Sequence, residues 1–474
     1  MRRFSRFMVV LLILTLFLNL IQVSAWSNGG YTDEDNIPRF GTHDWMAMHS
    51  LDILPDEKSW WLRDNLDLYL LGTELPDNSY HSMGIGDTSL HHVYYDCNIS
   101  LVDDSAAVRA QEEYMLALEY FESGSFDLAA VHAGAMSHYI CDLGVFGHVM
   151  GKDTCWGSEI HHSDYESSAD TRMDEYPVDG FTQYIVFDEV LSNISASDAC
   201  LDIAFDTTFD VDDIYDCVWM DTNYGFSNST FEARAGESVN LCVNKLSDVL
   251  STLYNEADPE ISLANFDYYF REKSCIMVQP STSTEKPRGC APAMVSDWLA
   301  SAYIHTRLNN CVECLDTESL YVDQVDGSSL GGLPVISFGG PVVNPIVSYC
   351  ESDSTPLLDR SPVKYVGEGG NCSFKLWNDS MIPDASLPLS VINEDEDMFL
   401  IEVFQNSDEQ TLLIVYGFGW QGTYAAGKYF DKVIYPNLDD FKNQWIIVHW
   451  MDTSLDGFVD SPGGSDTYIV VATG

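Results

Sequence analysis

The sequence predicts a multidomain chain, in which an all-α N-terminal domain is followed by an α/β C-terminal domain. Its 474 residues exceed what one hydrophobic core usually organises. The first half has apolar residues at three- and four-residue steps, and no convincing strand pattern before about residue 270. The second half has β-rich runs, and the run at 411–416 is followed by a glycine turn and a helix-forming segment.

These patterns divide the chain into four parts. Helices are expected over amphipathic segments at 106–121, 126–143, 181–192 and 237–254. A polar stretch with prolines near residue 280 is typical of a linker. The predicted parts are a leader at 1–25, a helical domain at 26–278, a linker at 279–292 and an α/β domain at 293–474.

Residues 1–25 have the pattern of a secretory signal peptide. Three arginines precede an apolar run, and Val23-Ser24-Ala25 supplies the small residues that a signal peptidase reads. An uncleaved membrane anchor is the alternative, and cleavage after Ala25 is favoured. No later segment offers the ~20 apolar residues of a membrane-spanning helix. We therefore expect a secreted or extracellular cell-surface protein, with no transmembrane anchor once the leader is removed.

The composition bears on the partners of the chain. It has 22 Lys and Arg against 74 Asp and Glu, which gives a net charge of −52. Such a surface disfavours long nucleic acids and strongly anionic membranes unless salt or divalent cations screen it. A surface that is simply solvated in a salty exterior is the interpretation we favour. The even number of 12 cysteines in an exported chain predicts disulfides.

Metal-binding side chains are concentrated in the first half, where ten of the 12 histidines lie between His43 and His162. His138 and Asp142 are four residues apart, as are His162 and Glu166, so each pair shares one helix face and can hold one cation. A single such pair is more often a surface or capping pair. Two pairs with other histidines around them favour a metal site.

Further candidates come from turns and loops. Asp77 lies in a proline-containing turn, His91 and His92 follow a loop with glycine, and His148 follows Gly147, where the chain can leave the helix. Imidazole and carboxylate ligands without thiolate suit catalytic Zn²⁺, which keeps coordination positions open for water and substrate.

The order of these residues resembles the bacterial zinc-dependent phospholipases C, which share a fold with the fungal single-strand-specific nucleases. The resemblance covers roughly residues 26 to 255. The motifs that carry it are Ala25-Trp26-Ser27, Gly41-Thr42-His43, Pro76-Asp77, His91-His92 before Asp96, His138-Tyr139 with Asp142, His148, and His162 with Glu166. Two departures are Cys141, where relatives often have Gly, and Phe146, where they often have Pro.

The resemblance implies three zinc ions. The first would be held by Trp26 through its terminal amine and carbonyl oxygen, with His43 and Asp142. The second would take Asp77, His138, Asp142 and one of His91 and His92, of which His92 is slightly preferred. The third would take His148, His162 and Glu166. Asp142 would bridge the first two ions.

The resemblance also implies hydrolysis of a phosphodiester, with Asp77 as the proton acceptor. A phospholipid is the first expected substrate, and the expected enzyme is a phospholipase C. A single-strand nuclease or nucleotidase of the same fold is the second reading. A catalytically silent, zinc-stabilised cell-surface protein is the third.

The C-terminal region, about 285 to 474, resembles more weakly a domain of archaeal surface-layer-like proteins, through its Gly339-Gly340-Pro341 and Gly422-Thr423 segments. This predicts association with a cell-surface layer, and an unrelated α/β domain has equal weight. The segment with Asp452, Ser454, Asp456 and Asp460 spaces oxygen ligands as in a calcium loop. Because Gly463 stands where such a loop needs Glu, an Asp-rich turn is the favoured alternative to Ca²⁺.

Overall fold

The computed structural model describes residues 41–151, 154–172, 180–211, 214–271, 273–280, 291–308, 311–316, 330–377, 380–392 and 394–474. They form two compact units. The first contains the described residues up to Phe121 together with Ser125–Ala257, and the second contains Glu122–Gly124 and Asp258–Gly474. The leader at 1–25 and Trp26 lie outside the described residues.

The first unit is helical, apart from one short pair of strands. Its helices are α1 (Thr42–Ile53), α2 (Asp56–Asp64), α3 (Leu66–Glu74), α4 (Ser105–Glu122), α5 (Phe126–Asp142), α6 (Phe146–Val149), α7 (His162–Asp170), α8 (Ala196–Phe209), α9 (Cys217–Thr222) and α10 (Ser229–Glu256). Strands β1 (Tyr94–Tyr95) and β2 (Leu101–Asp103) pair antiparallel. Short 3₁₀ helices lie at Thr88–Leu90 and Phe181–Tyr184.

Helix α5 is the centre of this unit. From Ala133 to Asp142 every residue is buried, so the helix is covered on all sides, as expected for one that is apolar nearly all round. It packs on α3 with backbone against backbone, because a Cβ atom at Gly134 would overlap the carbonyl oxygen of Tyr69, and one at Gly72 would overlap that of Val131. The two glycines therefore set the distance between α3 and α5.

The second unit is a mixed α/β structure. Its strands are β3 (Cys275–Gln279), β4 (Cys311–Asp316), β5 (Val335–Phe338), β6 (Val363–Glu368), β7 (Asn371–Leu376), β8 (Met381–Pro388), β9 (Glu396–Gln405), β10 (Thr411–Gly417), β11 (Trp445–Met451) and β12 (Thr467–Thr473). Its α-helices are α11 (Ala291–His305), α12 (Pro345–Cys350) and α13 (Trp420–Tyr429). Short 3₁₀ and π turns lie at Leu263–Asn265, Asp267–Arg271, Leu357–Asp359, Phe430–Ile434 and Tyr435–Asp440.

Seven strands form the main sheet in the order β12-β11-β9-β10-β5-β3-β4, and β6, β7 and β8 form a second, antiparallel sheet. Strands β3, β4, β5 and β10 are parallel, whereas β9, β11 and β12 pair antiparallel. Both faces of the main sheet are covered. Leu413 and Val415 pack in one core with α11 and α13, and Leu412 and Ile414 pack in the other with α12 and the small sheet.

The predicted fold class, an all-α N-terminal domain followed by an α/β domain, is confirmed. The units divide at Ala257, whereas the boundary predicted from the sequence is at 278. Residues 275–279 belong to the second unit, where they enter the main sheet as β3. The sequence does not reveal this, because a short apolar run carries no sign of which domain supplies its partner strands. Of the predicted linker at 279–292, residues 281–290 lie outside the described part. No helix among the described residues is long and apolar enough to span a bilayer.

The helix predicted over 181–192 is wrong beyond its first turn, Phe181–Tyr184. The segment that follows runs along α10, whose polar side chains recur every four residues and accept its backbone N–H groups. Asn240, Asn244, Asp248 and Thr252 accept from Val186, Asp188, Ser192 and Ile194 at 2.8–3.2 Å. These side-chain acceptors replace the hydrogen bonds of a helix.

Candidate metal centre

A buried carboxylate at the end of α5 lies between four imidazole rings. Asp142 is fully buried. Its Oδ1 is 3.2 Å from Nε2 of His43 and 3.6 Å from Nε2 of His148. Its Oδ2 is 3.1 Å from Nδ1 of His91 and 3.2 Å from Nε2 of His138. The two oxygens thus face different pairs of histidines, which is the geometry of a carboxylate that bridges two cations.

One group of ligand atoms lies beside Asp142. It consists of Asp77 Oδ1, His91 Nδ1 and His138 Nε2, and Asp142 Oδ2 adjoins its two histidines. His91 Nδ1 is 3.4 Å from Asp77 Oδ1 and 3.2 Å from His138 Nε2, and the Asp77–His138 separation is 3.9 Å. Bonds of about 2.0–2.1 Å to a tetrahedral zinc place ligand atoms about 3.3 Å apart. The spacing fits zinc.

A second group joins α6 to α7. His148 Nε2 is 3.2 Å from His162 Nε2 and 3.4 Å from Glu166 Oε1, and His162 Nε2 is 2.7 Å from the same oxygen. His162 and Glu166 are one turn apart on α7, as their spacing predicts. Gly147 provides the room, since a Cβ there would overlap the His162 ring.

A third group lies at the start of α1, where His43 meets His138 and Asp142. The His43 and His138 rings are stacked, with centroids 4.0 Å apart. Within the described residues this group has only these three members, and Trp26, its expected fourth, lies outside them.

Hydrogen bonds to the ring nitrogens that face away from the cluster fix the imidazole tautomers of His138 and His91. His138 Nδ1–H donates to the carbonyl oxygen of Thr73 at 2.7 Å, which leaves Nε2 with its lone pair towards the cluster. His91 Nε2–H donates to Asp87 at 3.3 Å, which leaves Nδ1 towards the cluster. Such outer contacts orient metal-binding histidines before the metal arrives.

Asp87 is itself firmly held. It accepts hydrogen bonds from the Tyr139 hydroxyl and from Arg109 Nε, each at 2.8 Å. Burial alone would raise its pKa, but the hydrogen bonds from His91, Tyr139 and Arg109 outweigh burial and lower the pKa to about 2. Asp87 is therefore ionised at any physiological pH, and His91 faces a permanent negative charge.

The electrostatics of the cluster require positive charge. Burial would raise the pKa of Asp142, but His148, His138 and His43 hold it well below its usual value. Burial would lower the pKa of His91, yet Asp142, Asp87 and Asp77 raise it to about 10. The carboxylates therefore favour a proton on His91 when no metal is present, and a metal ion must displace that proton.

Both carboxylate oxygens of Asp142, and both of Glu166, are buried, and imidazole nitrogens lie 2.7–3.6 Å from Asp142 and from Glu166 Oε1. Buried carboxylates are costly unless a cation compensates them. With the ligand spacing and the nitrogen and oxygen donor set, these oxygens show that the residues present fit zinc.

Comparison with known proteins agrees with this chemistry. Residues 42–219 match the family model described as zinc dependent phospholipase C. The matched segment spans most of the first unit, in which all the described ligand groups lie, and the predicted resemblance is thereby confirmed there.

No curated protein sequence matches the chain. Among solved structures, the alpha toxin of Clostridium absonum has 16% identity and a TM-score of 0.32, and the match covers 48% of this chain and 66% of the toxin. The chain thus spans just under two thirds of that toxin's length. The alpha-toxin of Clostridium perfringens from an avian strain has 12% identity and a TM-score of 0.31, and the match covers 91% of this chain and 98% of the toxin. Both scores are below the 0.5 that would indicate a shared fold.

The structure brings His91 to the cluster and not His92, the histidine preferred from the sequence. The His92 ring stacks on Tyr94 at 4.4 Å, and its Nε2 is 3.5 Å from Asp103. Adjacent side chains point in different directions, so only one of the pair can face the cluster. The other expected ligands from His43 to Glu166 are brought together in the three groups.

Sequence reasoning missed the residues behind the ligands. Asp87 accepts the hydrogen bond from His91, Arg109 and Tyr139 hold Asp87 in turn, and none of the three was a candidate. One signal was present, because Asp87 and His91 are four residues apart, the same spacing that marked His138 and Asp142.

The candidate calcium segment is a self-contained turn. Asp452 accepts hydrogen bonds from Ser454 Oγ and from the backbone N–H groups of Leu455 and Gly457 at 2.7–2.9 Å. Asp456 accepts from the Phe458 N–H at 2.9 Å. These contacts are those of the Asp-rich turn, and calcium at Asp452, Ser454, Asp456 and Asp460 stays a prediction.

Proposed function

We propose that the chain is a secreted phospholipase C, which hydrolyses the phosphodiester of phospholipid head groups at a site of three zinc ions. One observation carries the proposal: three groups of histidine and carboxylate ligands surround the buried Asp142, within the segment that matches the zinc dependent phospholipase C family.

Zinc at these positions would supply positive charge for the phosphate oxygens and lower the pKa of a water molecule towards about 7. Three such ions would bring six positive charges against Asp77, Asp142 and Glu166, and the site would then attract an anionic phosphate in spite of the acidic surface. Thr73 and Asp87 orient the ligands, because they accept the hydrogen bonds that fix the His138 and His91 rings. Asp77, which lies at the edge of the cluster, accepts the proton of the attacking water.

The first ion would complete its ligands with the terminal amine and carbonyl oxygen of Trp26, freed by removal of the leader. An α-amino group has a pKa of about 7.7–8, so a metal displaces its proton at little cost near neutral pH. A chain with one extra residue before Trp26 should bind two zinc ions and lose most of its activity. Three zinc ions in that chain would contradict the role of Trp26 and leave the other ligand groups unaffected.

A phospholipid is favoured over a polynucleotide because of the net charge of −52, which disfavours a long polyanion. A single-strand nuclease or nucleotidase of the same fold is the second candidate function. For the C-terminal unit, association with a cell-surface layer is proposed from the weak resemblance.

The test is an assay of the purified mature chain, loaded with zinc, on phosphatidylcholine vesicles and on single-stranded DNA. We expect release of phosphocholine, and loss of that release in Asp142→Asn. His305→Asn is the matched control, because His305 is exposed in the second unit and belongs to none of the ligand groups. DNA cleavage without lipid hydrolysis would support the nuclease. Bound zinc with neither activity would identify a silent, zinc-stabilised surface protein.

A further inference from the structure

Two exposed cysteines, Cys97 and Cys155, lie close together in the first unit. The Cys155 sulfur is 2.6 Å from the backbone nitrogen of Cys97, and both residues are exposed free thiols. We propose that Cys97 and Cys155 form a disulfide, which ties together the two segments that carry ligands of different zinc ions.

The segments that bear the two cysteines are already aligned. The Val93 N–H donates to the carbonyl oxygen of His148 at 3.3 Å, and the indole N–H of Trp156 donates to that of Tyr95 at 2.6 Å. Tyr94 packs on Gly151, where a Cβ would lie 2.9 Å from its ring. Because contacts on either side of the thiols hold the backbones in place, little chain entropy remains to be lost when the bond closes.

The position of the bond in the chain gives it a consequence for the site. Cys97 follows the His91 ligand, and Cys155 lies between the ligands His148 and His162. The bond would join residues that are 58 positions apart, and the loop it closes contains α5, with His138 and Asp142. A covalent tie there restrains the separation of the groups around His91 and His148 when the metal is absent.

The chemistry is thiol–disulfide exchange with a small-molecule disulfide, such as oxidised glutathione. The thiolate of one cysteine attacks the oxidant, forms a mixed disulfide and releases one small thiol. The thiolate of the other cysteine then attacks the protein sulfur and releases the second. The two cysteines lose two protons and two electrons, and the oxidant is reduced to two thiols. An extracellular location, where disulfides persist, suits the bond.

Cys217 is the competing partner of Cys155, because its thiol interacts electrostatically with Cys155. Burial, with a smaller contribution from Asp216, raises the pKa of Cys217 to about 12, so its reactive thiolate is scarce. Cys97 is exposed and lies at the Cys155 sulfur. The geometry and the access both favour Cys97.

The test equilibrates the purified full chain with oxidised and reduced glutathione, traps thiols by alkylation at low pH and maps the digested peptides by mass spectrometry. We expect a Cys97–Cys155 cross-linked peptide and two fewer alkylated thiols per chain than after reduction. Alkylation of both cysteines under oxidising conditions, or a Cys155–Cys217 peptide in place of the expected one, would overturn the proposal.

A second measurement follows the consequence of the bond. With the metal removed, reduction should lower the denaturation midpoint of the wild-type chain, and Cys97→Ser/Cys155→Ser should abolish that shift. Cys350→Ser, which changes a buried thiol of the second unit, should keep it. An equal shift in wild type and the double variant would show that the bond does not restrain the unit. Neither measurement depends on hydrolytic activity, so the disulfide and the proposed function fail or succeed separately.

Discussion

Substitution of Asp87 by Asn tests whether the contacts behind His91 tune the metal centre. The variant keeps the shape of the side chain and removes the charge that faces His91, Tyr139 and Arg109. Arg109 keeps its contacts with Glu112 and Glu113, so the change leaves no cation of this network without a carboxylate. We expect a folded chain with a weaker zinc site.

The magnitude of the stability change follows from the pKa. A fall from 3.8 to about 2 corresponds to about 2.4 kcal/mol. Water screens this partly exposed carboxylate, so we expect the metal-free variant to lose about 1–2 kcal/mol at pH 7. Because the folded pKa is depressed, the stabilisation is complete above the unfolded pKa and is lost as the pH falls from 3.8 towards 2. The difference between wild type and variant should therefore shrink to about half at pH 3.

Zinc affinity at the His91 group should fall about 10–100-fold, the usual effect of losing an outer partner of a histidine ligand. Competition with a chromophoric chelator measures the affinity, and denaturation of the metal-free chain at pH 7 and pH 3 measures the stability. Glu112→Gln is the matched control, since it also removes a carboxylate from Arg109 but does not contact His91. Unchanged zinc affinity, or a loss of stability equal at both pH values, would refute the role assigned to Asp87.

Four further substitutions test the centre and its support. Asp142→Asn removes the carboxylate shared by two ligand groups, so metal analysis should find one zinc ion per chain and at least a 100-fold loss of hydrolysis; three retained ions would contradict the bridging role. His91→Asn should cost one zinc ion and His92→Asn none, and the reverse result in the same analysis would restore His92 as the ligand. Gly134→Ala should lower the free energy of unfolding by about 1–3 kcal/mol or more, measured by denaturation, because its methyl group would overlap the Tyr69 carbonyl; a neutral effect would show that α3 can move away.

The parts of the site that could be predicted from the sequence are those whose geometry is local. His138 and Asp142 share a face because a helix places residues four apart together, and the same holds for His162 and Glu166. Their relation to His43 and Asp77 depends on how α1 and α3 pack on α5, which no spacing encodes. For those residues the motif order of a known family supplied what local geometry could not.

The choice between His91 and His92 shows where such reasoning ends. Two adjacent residues differ only in which way the backbone turns them, and here they follow a short 3₁₀ helix at Thr88–Leu90. The segment after Tyr184 shows the same limit for the prediction of secondary structure. Its amphipathic pattern favours a helix, but the acceptors on α10 offer its backbone another set of hydrogen bonds, and a partner that distant leaves no trace in the local sequence.

The packing of α3 on α5 connects the fold to the orientation of the metal ligand His138. Gly72 and Gly134 allow the backbones to touch, and the residue that follows Gly72 is Thr73, whose carbonyl oxygen accepts the hydrogen bond from His138 one turn beyond Gly134. If α3 moved outward, that carbonyl would leave His138, and the tautomer that directs Nε2 at the metal would no longer be enforced. Gly134→Ala should consequently weaken zinc binding as well as stability, although neither glycine touches a ligand atom. A variant that loses stability but keeps its zinc affinity would show that His138 is oriented by Asp142 alone.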